Sequence, residues 1–204
     1  MDYIEELKTK PIQIENFLSE QVAEKIYKII DSQQDWILSS NHKKSYEFEK
    51  SKFYKGEFSY WYEFIQNKEI IYDLLKMLNF EFELSKLLND KFFIPQSIFI
   101  SKYTYGSFLS KHNDLAHNRK YAFVYNLTKD AAESKGGYLQ FVDINGNTTH
   151  KLLPNFNSLN IFDVENIKDL HFVSEIVDKT YKRYSISGWV IENDIKMKNK
   201  NSLI

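Results

Sequence analysis

An α+β, mainly β domain is what this sequence predicts, with a helical layer at about 11–90 and an antiparallel barrel or sandwich at about 95–191. Three observations predict it. Apolar residues recur at helical spacing in the first part of the chain, and from Pro95 onward they alternate in short β-branched and aromatic runs separated by turn signals. The third is composition: 204 residues, 43% hydrophobic and 16% aromatic with only 6 Gly and 3 Pro, describe one ordered domain able to bury a core.

Taken in order, Leu18 to Ile30 places Val22, Ile26, Ile29 and Ile30 on one helical face, with Ser19 as N-cap ahead of Glu20. The charged and aromatic segment Ser39–Lys55 reads as a surface loop, followed by helices over Tyr60–Leu78 and Phe82–Leu88. About eight strands are expected beyond them. They lie near Ser97–Tyr103, Phe108–His112, Tyr121–Leu127, Tyr138–Val142, Thr148–Leu152, Leu159–Phe162, Phe172–Val177 and Arg183–Ile191. Gly106, Lys129–Lys135 with Gly136-Gly137, Asn145-Gly146, Pro154 and Asp178-Lys179 divide them, and Asn145-Gly146 is the strongest hairpin signal. Residues 1–195 read as one domain and 196–204 as a flexible polar tail, with no internal repeat.

A net charge of -1 gives no global field for nucleic acid or an anionic membrane. With no cysteine there is neither a disulfide framework nor a thiolate metal site, so a transition metal must rest on His and carboxylate. The acidic start Met1-Asp2-Tyr3-Ile4-Glu5-Glu6 is unlike a secretory signal, and no run of about 18 apolar residues occurs. A soluble, unprocessed, cytoplasmic protein is expected, of undetermined oligomeric state.

Chemistry enters at Lys111-His112-Asn113-Asp114. Side chains alternate along an extended chain, so His112 and Asp114 project to one side, although alone they read equally as a hydrogen-bonded surface pair. His171, opening the run Phe172-Val173-Ser174-Glu175-Ile176-Val177, is the favoured third ligand; a structural role for His171 and a competing ligand at His117 are the alternatives. Two His and one carboxylate leave three positions on iron(II), the arrangement in which non-haem oxygenases take a bidentate keto acid and dioxygen. The far carboxylate of such an acid needs a cation, and Arg183 heads a strand in which 183, 185, 187 and 189 face one way. Lys182 would point to the opposite face. Trp189 is assigned to the core, Gly136-Gly137 to turn geometry, His42 and His150 to the surface, and Asn118-Arg119-Lys120 to a solvated turn.

The pieces Tyr103-Thr-Tyr-Gly106, His112-Asn-Asp114, Val124–Asp130 leading to Gly136-Gly137-Tyr-Leu, Leu159-Asn-Ile-Phe162, His171-Phe-Val and Arg183-Tyr-Ser-Ile-Ser-Gly-Trp189 occur in one order. In that order and at that spacing, from about Pro95 to Val190, the chain resembles the prolyl 4-hydroxylase-like branch of the 2-oxoglutarate/iron(II) dioxygenases. A weaker echo in Pro11–Ser19 resembles the family's lead-in to its first helix. The resemblance implies a double-stranded β-helix, a jelly-roll or cupin-like barrel braced by the N-terminal helices. It implies iron(II) held by His112, Asp114 and His171, with 2-oxoglutarate and dioxygen as co-substrates and ascorbate in support. By the same likeness Arg183 binds the distal carboxylate helped by Tyr125, Tyr103 lies near the keto acid, and Ser185 belongs to the same pocket.

The implied activity is hydroxylation of an amino-acid, peptide or protein substrate, prolyl by resemblance only, with release of succinate and carbon dioxide. Some relatives that act on ribosomal protein carry a second barrel domain, and because the sequence ends soon after its own barrel that particular role is disfavoured as an expectation. A cupin-like or lectin-like binding module is the alternative from another class, and an oxygenase acting on a nucleobase is disfavoured by the near-neutral charge.

Overall fold

Helices and strands divide the chain near residue 90, as the change in apolar spacing predicts, except that three strands are threaded between the helices. The computed structural model describes residues 3–47, 55–65, 67–88, 93–116, 119–167 and 169–192. In chain order the elements are α1 (Tyr3–Leu7), β1 (Ile12–Ile14), α2 (Glu20–Asp31), β2 (Ile37–Glu47), β3 (Lys55–Ile65), α3 (Lys68–Leu78) and α4 (Phe80–Leu87). The barrel strands follow as β4 (Phe93–Tyr103), β5 (Phe108–His112), β6 (Arg119–Asn126), β7 (Leu139–Val142), β8 (Thr148–Leu152), β9 (Ser158–Asp163), β10 (Leu170–Val173) and β11 (Arg183–Glu192).

Two expectations for the first part are corrected. The segment Ser39–Lys55 is not a loop where it is described, because β2 and β3 pair as an antiparallel hairpin from Ile37↔Phe64 to Glu47↔Lys55. The helix expected from Tyr60 begins only after Asn67. Tyr60-Trp61-Tyr62 and Phe64-Ile65 are aromatic and β-branched and stay in strand β3, whereas Asn67 accepts from the Glu69 and Ile70 amides and starts α3. Asn79, at φ 45, ends α3 and turns the chain into α4.

All paired strands are antiparallel and form one sheet in the order β1-β9-β6-β11-β4-β3-β5-β10-β7-β8, with β2 added on β3. The sheet folds over on itself. Ala122 and Phe162 from β6 and β9 share an interior cluster with Leu139, Phe141 and Val173 from β7 and β10. On the other face of the same strands Ile100, Tyr121, Phe123, Tyr125, Leu159, Ile161, Tyr184, Ile186 and Val190 pack against Ala23, Ile26 and Ile30 of α2. Strand β9 is buried along its whole length because it has helices on one side and the barrel interior on the other. Each fully buried Ile of α2 contributes roughly 1.5–3 kcal/mol, so the helical layer is held by burial rather than by intrinsic helicity.

The expected strand at Phe172–Val177 is shorter and earlier, Leu170–Val173. Past Val173 the chain bonds to loops instead: Ile176 donates to the Ser107 carbonyl and accepts from Gly106, while Val177 donates to Lys135. Here the Gly136-Gly137 turn proves to be a close approach as well. A Cβ on Gly136, at φ +77, would stand 1.8 Å from the Glu175 carbonyl oxygen, and one on Gly137 would meet Ile176 Cδ1 at 2.5 Å and Arg183 Cδ at 3.2 Å. The Asn145-Gly146 turn forms as expected, with Asp143 accepting from the amides of Asn145 and Asn147 and Gly146 at φ +84.

Candidate metal centre and co-substrate pocket

Strands β5 and β10 are neighbours, and their register sets His112 directly opposite His171. The two imidazole centroids lie 4.2 Å apart. Asp114 follows two residues after His112, just past the end of β5, and closes the group: Oδ2 is 3.2 Å from His171 Nε2 and Oδ1 is 3.9 Å from His112 Nε2. One ligand atom from each residue lies within 4.8 Å of the others, the single such cluster among the described residues. The third ligand expected from a distant strand is therefore brought in, although Asp114 itself is presented by the loop and not by a continued strand.

Protonation suits a cation. His112 Nδ1 lies 2.8 Å from the Ser110 carbonyl, which can only accept, so the proton sits on Nδ1 and the Nε2 lone pair faces the cluster. Burial, then the neighbouring His171, hold His112 down to about 4, so it is neutral at pH 7. Burial alone would raise Asp114, but the His171 and His112 imidazoles, a hydrogen bond from His171 and the Arg119 guanidinium outweigh it and bring the carboxyl down to about 2. A neutral imidazole and an ionised carboxylate are the forms a divalent metal requires.

The cluster opens into a cavity of about 310 Å³ between the two halves of the sheet. Arg183, Ser185, Ser187 and Trp189 all line it, as the alternation along β11 predicts, while Tyr184, Ile186 and Val190 turn to the helices. Arg183 is 2% exposed. Among the described residues it forms no ion pair with a carboxylate, and its Nε has no hydrogen-bond partner. Its surroundings are phenolic: its Cζ is 4.8 Å from the Tyr103 ring centroid, it hydrogen-bonds the Tyr103 phenol, and Tyr181 is adjacent. Burial pulls the guanidinium below its ordinary value and raises both phenols, Tyr181 to about 12. A cation buried against neutral groups is costly until an anion joins it, which marks this end of the cavity as an anion site. Ser185 lies beside it, bonded to Ser101 at 2.8 Å and to Ser187 at 3.4 Å.

Tyr125 is the one expected pocket residue that the structure moves elsewhere. On β6, Ala122 and Val124 face the cavity and Tyr125 faces the helices, its ring 5.8 Å from Phe17 and its hydroxyl donating to Asn157 Oδ1 at 2.9 Å. Strand parity decides this, and Tyr125 takes no part in the pocket.

Three further readings change. Arg119 is not on a solvated turn: it opens β6 and lies with its Cζ 3.5 Å from the centroid of Trp189, and both line the cavity. Trp189 is thus a cavity wall more than core. His150 is half-buried with its ring edge-on to Phe141 at 6.3 Å, since β8 packs on β7. Lys120 pairs with Asp163 at 2.8 Å, and Lys182, as expected, turns away toward Asp31. His117, the His42 side chain and the tail 196–204 lie outside the described residues. Asn113, in the loop 113–120 expected to shape substrate selectivity, lines the cavity, and so does Tyr62, which carries no sequence signal because nothing in the pattern says which added strand covers the barrel mouth.

Residues 98–191 match the family described as the 2OG-Fe(II) oxygenase superfamily. A stretch of 111 residues, 52% of this chain, is 32% identical to prolyl 3-hydroxylase OGFOD1 of Xenopus laevis, of which it covers 22%. The chain therefore spans about a fifth of the length of that relative. Among solved structures, a prolyl hydroxylase from Trichoplax adhaerens, in complex with a hypoxia inducible factor oxygen degradation domain peptide fragment, superposes with a TM-score of 0.64 at 17% identity, covering 94% of this chain and 88% of the other. A Pseudomonas putida prolyl-4-hydroxylase gives 0.60 at 16% identity, covering 91% and 94%. These two likenesses show the fold, the expected double-stranded β-helix. Through the barrel at 98–191 and the cluster it carries, this chain resembles the 2OG-Fe(II) oxygenases, and among them the prolyl hydroxylases.

Proposed function

We propose that this chain is a 2-oxoglutarate- and iron(II)-dependent dioxygenase that hydroxylates an amino-acid residue, with a prolyl residue of a peptide or protein as its substrate. One observation carries the reading: a single cavity holds both a His/Asp/His cluster and a buried guanidinium that meets no carboxylate among the described residues. The donor set suits iron(II), since two imidazoles and one carboxylate on one face leave positions for a keto acid and dioxygen. The substrate class rests on the prolyl hydroxylases among its relatives.

His112, Asp114 and His171 hold the metal in this reading, and the Ser110 carbonyl keeps His112 in the tautomer that offers Nε2. Arg183 and the Tyr103 phenol take the distal carboxylate of 2-oxoglutarate, with Ser185 beside them. When bound, iron(II) with 2-oxoglutarate and dioxygen supplies the oxidising power: one oxygen atom enters the substrate as hydroxyl, the other enters succinate, and carbon dioxide leaves. Leu139, Phe162 and Val173 make the adjoining wall apolar, which keeps bulk water from the reacting groups. Arg119 stacked on Trp189 forms another wall of the cavity.

Purified protein supplied with iron(II), 2-oxoglutarate, ascorbate and proline-containing peptides should form succinate and a peptide heavier by one oxygen. Asp114→Ala should abolish both and weaken Mn(II) binding by at least about 100-fold. Failure of the wild-type protein to bind Mn(II) or to form succinate would refute the reading.

A further inference from the structure

Tyr62 belongs to none of the motifs that mark the metal or the guanidinium, yet its position is built. Strand β3 pairs with β4 at Glu63↔Lys102, Phe64↔Ser101 and Ile65↔Ile100, then leaves it and pairs with β5 at Tyr60↔Leu109 and Trp61↔Phe108. Tyr62 stands at that fork, between the strand that ends in Tyr103 and the strand that ends in His112. Its ring lies nearly parallel to the Tyr103 ring, centroids 5.1 Å apart and planes inclined by 13°. Across the hairpin, its register partner Ser39 hydrogen-bonds its phenol, and Tyr60 packs at 5.7 Å. Both stacked rings line the cavity, and Tyr103 is 3% exposed.

We infer that Tyr62 is a positioning residue for the carboxylate end of the pocket: stacked on Tyr103, it fixes the phenol and guanidinium that meet the ligand and couples the β2–β3 hairpin to co-substrate binding. The inference rests on the 2-oxoglutarate reading above. Its physical basis is that the Tyr103 side chain meets Arg183 through both its phenol and its ring, 4.8 Å from the guanidinium carbon, so the direction of that side chain sets both contacts. The Tyr62 ring lies against one face of the Tyr103 ring and so opposes a swing of the Tyr103 side chain toward that face. Without the stack, the ring has room to swing away from the guanidinium, and part of the site's pre-organisation is lost. The sequence carries no such signal, because Tyr62 and Tyr103 are 41 positions apart and the pairing exists only through the hairpin's place beside β4.

The test is a titration of 2-oxoglutarate, and separately of 2-oxobutanoate, into Mn(II)-loaded protein by calorimetry, with metal affinity and melting temperature measured on each variant. Tyr62→Ala should weaken 2-oxoglutarate about 3- to 10-fold. Tyr62→Phe, which keeps the ring, should stay within about twofold, and neither should change Mn(II) affinity. Binding of 2-oxobutanoate, which has the keto-acid end but no distal carboxylate, should be equal in Tyr62→Ala and wild type. Equal loss for both acids, loss of Mn(II) affinity, or an unchanged 2-oxoglutarate affinity would each overturn the inference. Arg183→Met separates the two levels: if it leaves 2-oxoglutarate affinity intact, the pocket reading itself fails, whereas loss in Arg183→Met with none in Tyr62→Ala defeats the positioning role alone.

Discussion

Replacing Arg183 by Met tests the anion site from two directions at once. In the ligand-free protein the guanidinium is 2% exposed, its burial already pulls it below its ordinary value, and its described polar neighbours are the phenols of Tyr103 and Tyr181. Removing an uncompensated buried charge while keeping an apolar stem of similar length offsets the lost contact with the Tyr103 ring, 4.8 Å away. The first effect is worth about 2–4 kcal/mol and the second about 1 kcal/mol. The ligand-free variant should therefore be more stable by about 1–3 kcal/mol, or about 2–10 °C in melting temperature. Co-substrate binding should move the opposite way. Two charge-assisted hydrogen bonds at about 1.5–2 kcal/mol each are lost, so the dissociation constant of 2-oxoglutarate on Mn(II)-loaded protein should rise about 100- to 1000-fold. Differential scanning fluorimetry with and without 2-oxoglutarate reads both. A ligand-free variant less stable than wild type by more than about 2 kcal/mol would show that Arg183 is a structural cation satisfied by the protein. The reasoning would then be refuted even if binding were lost.

Gly136→Ala should destabilise by more than about 3 kcal/mol in urea unfolding, because φ +77 and a Cβ 1.8 Å from the Glu175 carbonyl oxygen leave no relaxed position; a change under about 1 kcal/mol would contradict the packing described. Tyr125→Phe should cost about 1 kcal/mol through loss of the bond to Asn157 while leaving 2-oxoglutarate affinity within about twofold. A tenfold weaker affinity would place Tyr125 back in the pocket. In metal-free protein His112 titrates at about 4 against 6.5 when unfolded. Between those values the unfolded chain binds more protons, so stability falls as pH drops through about 6.5 toward 4, by about 1–3 kcal/mol. Asp114, depressed to about 2, adds a loss of the same sign below its ordinary value. A His112→Gln variant should flatten the upper part of that slope, and an unaltered slope between pH 6.5 and 4.5 would assign it to other groups.

Sequence alone determined the parts that follow from local periodicity and residue chemistry. Alternation along Arg183–Trp189 put Arg183, Ser185 and Ser187 on the cavity face, and the expected strand Phe108–His112 matches β5. His112 and Asp114 were legible from their two-residue spacing on an extended chain and His171 from the alternating run it opens, with His117 left open by the sequence as a competing third ligand. What the tertiary structure decided was which strand stands beside which. Tyr125 carries the same local signals as a pocket residue, but β9 and β11 flank β6 so that its face meets α2 instead of the barrel interior. Tyr60–Ile65 has an aromatic content that suits strand or helix equally, and only pairing with β2, β4 and β5 selects the strand. Arg119, a charged residue among polar neighbours, becomes a cavity wall because Trp189 arrives from 70 residues away to stack beneath it. Propensity and patterning act within a few residues, whereas these contacts depend on strand order, and strand order is fixed by the burial of a whole sheet rather than by any one segment of it.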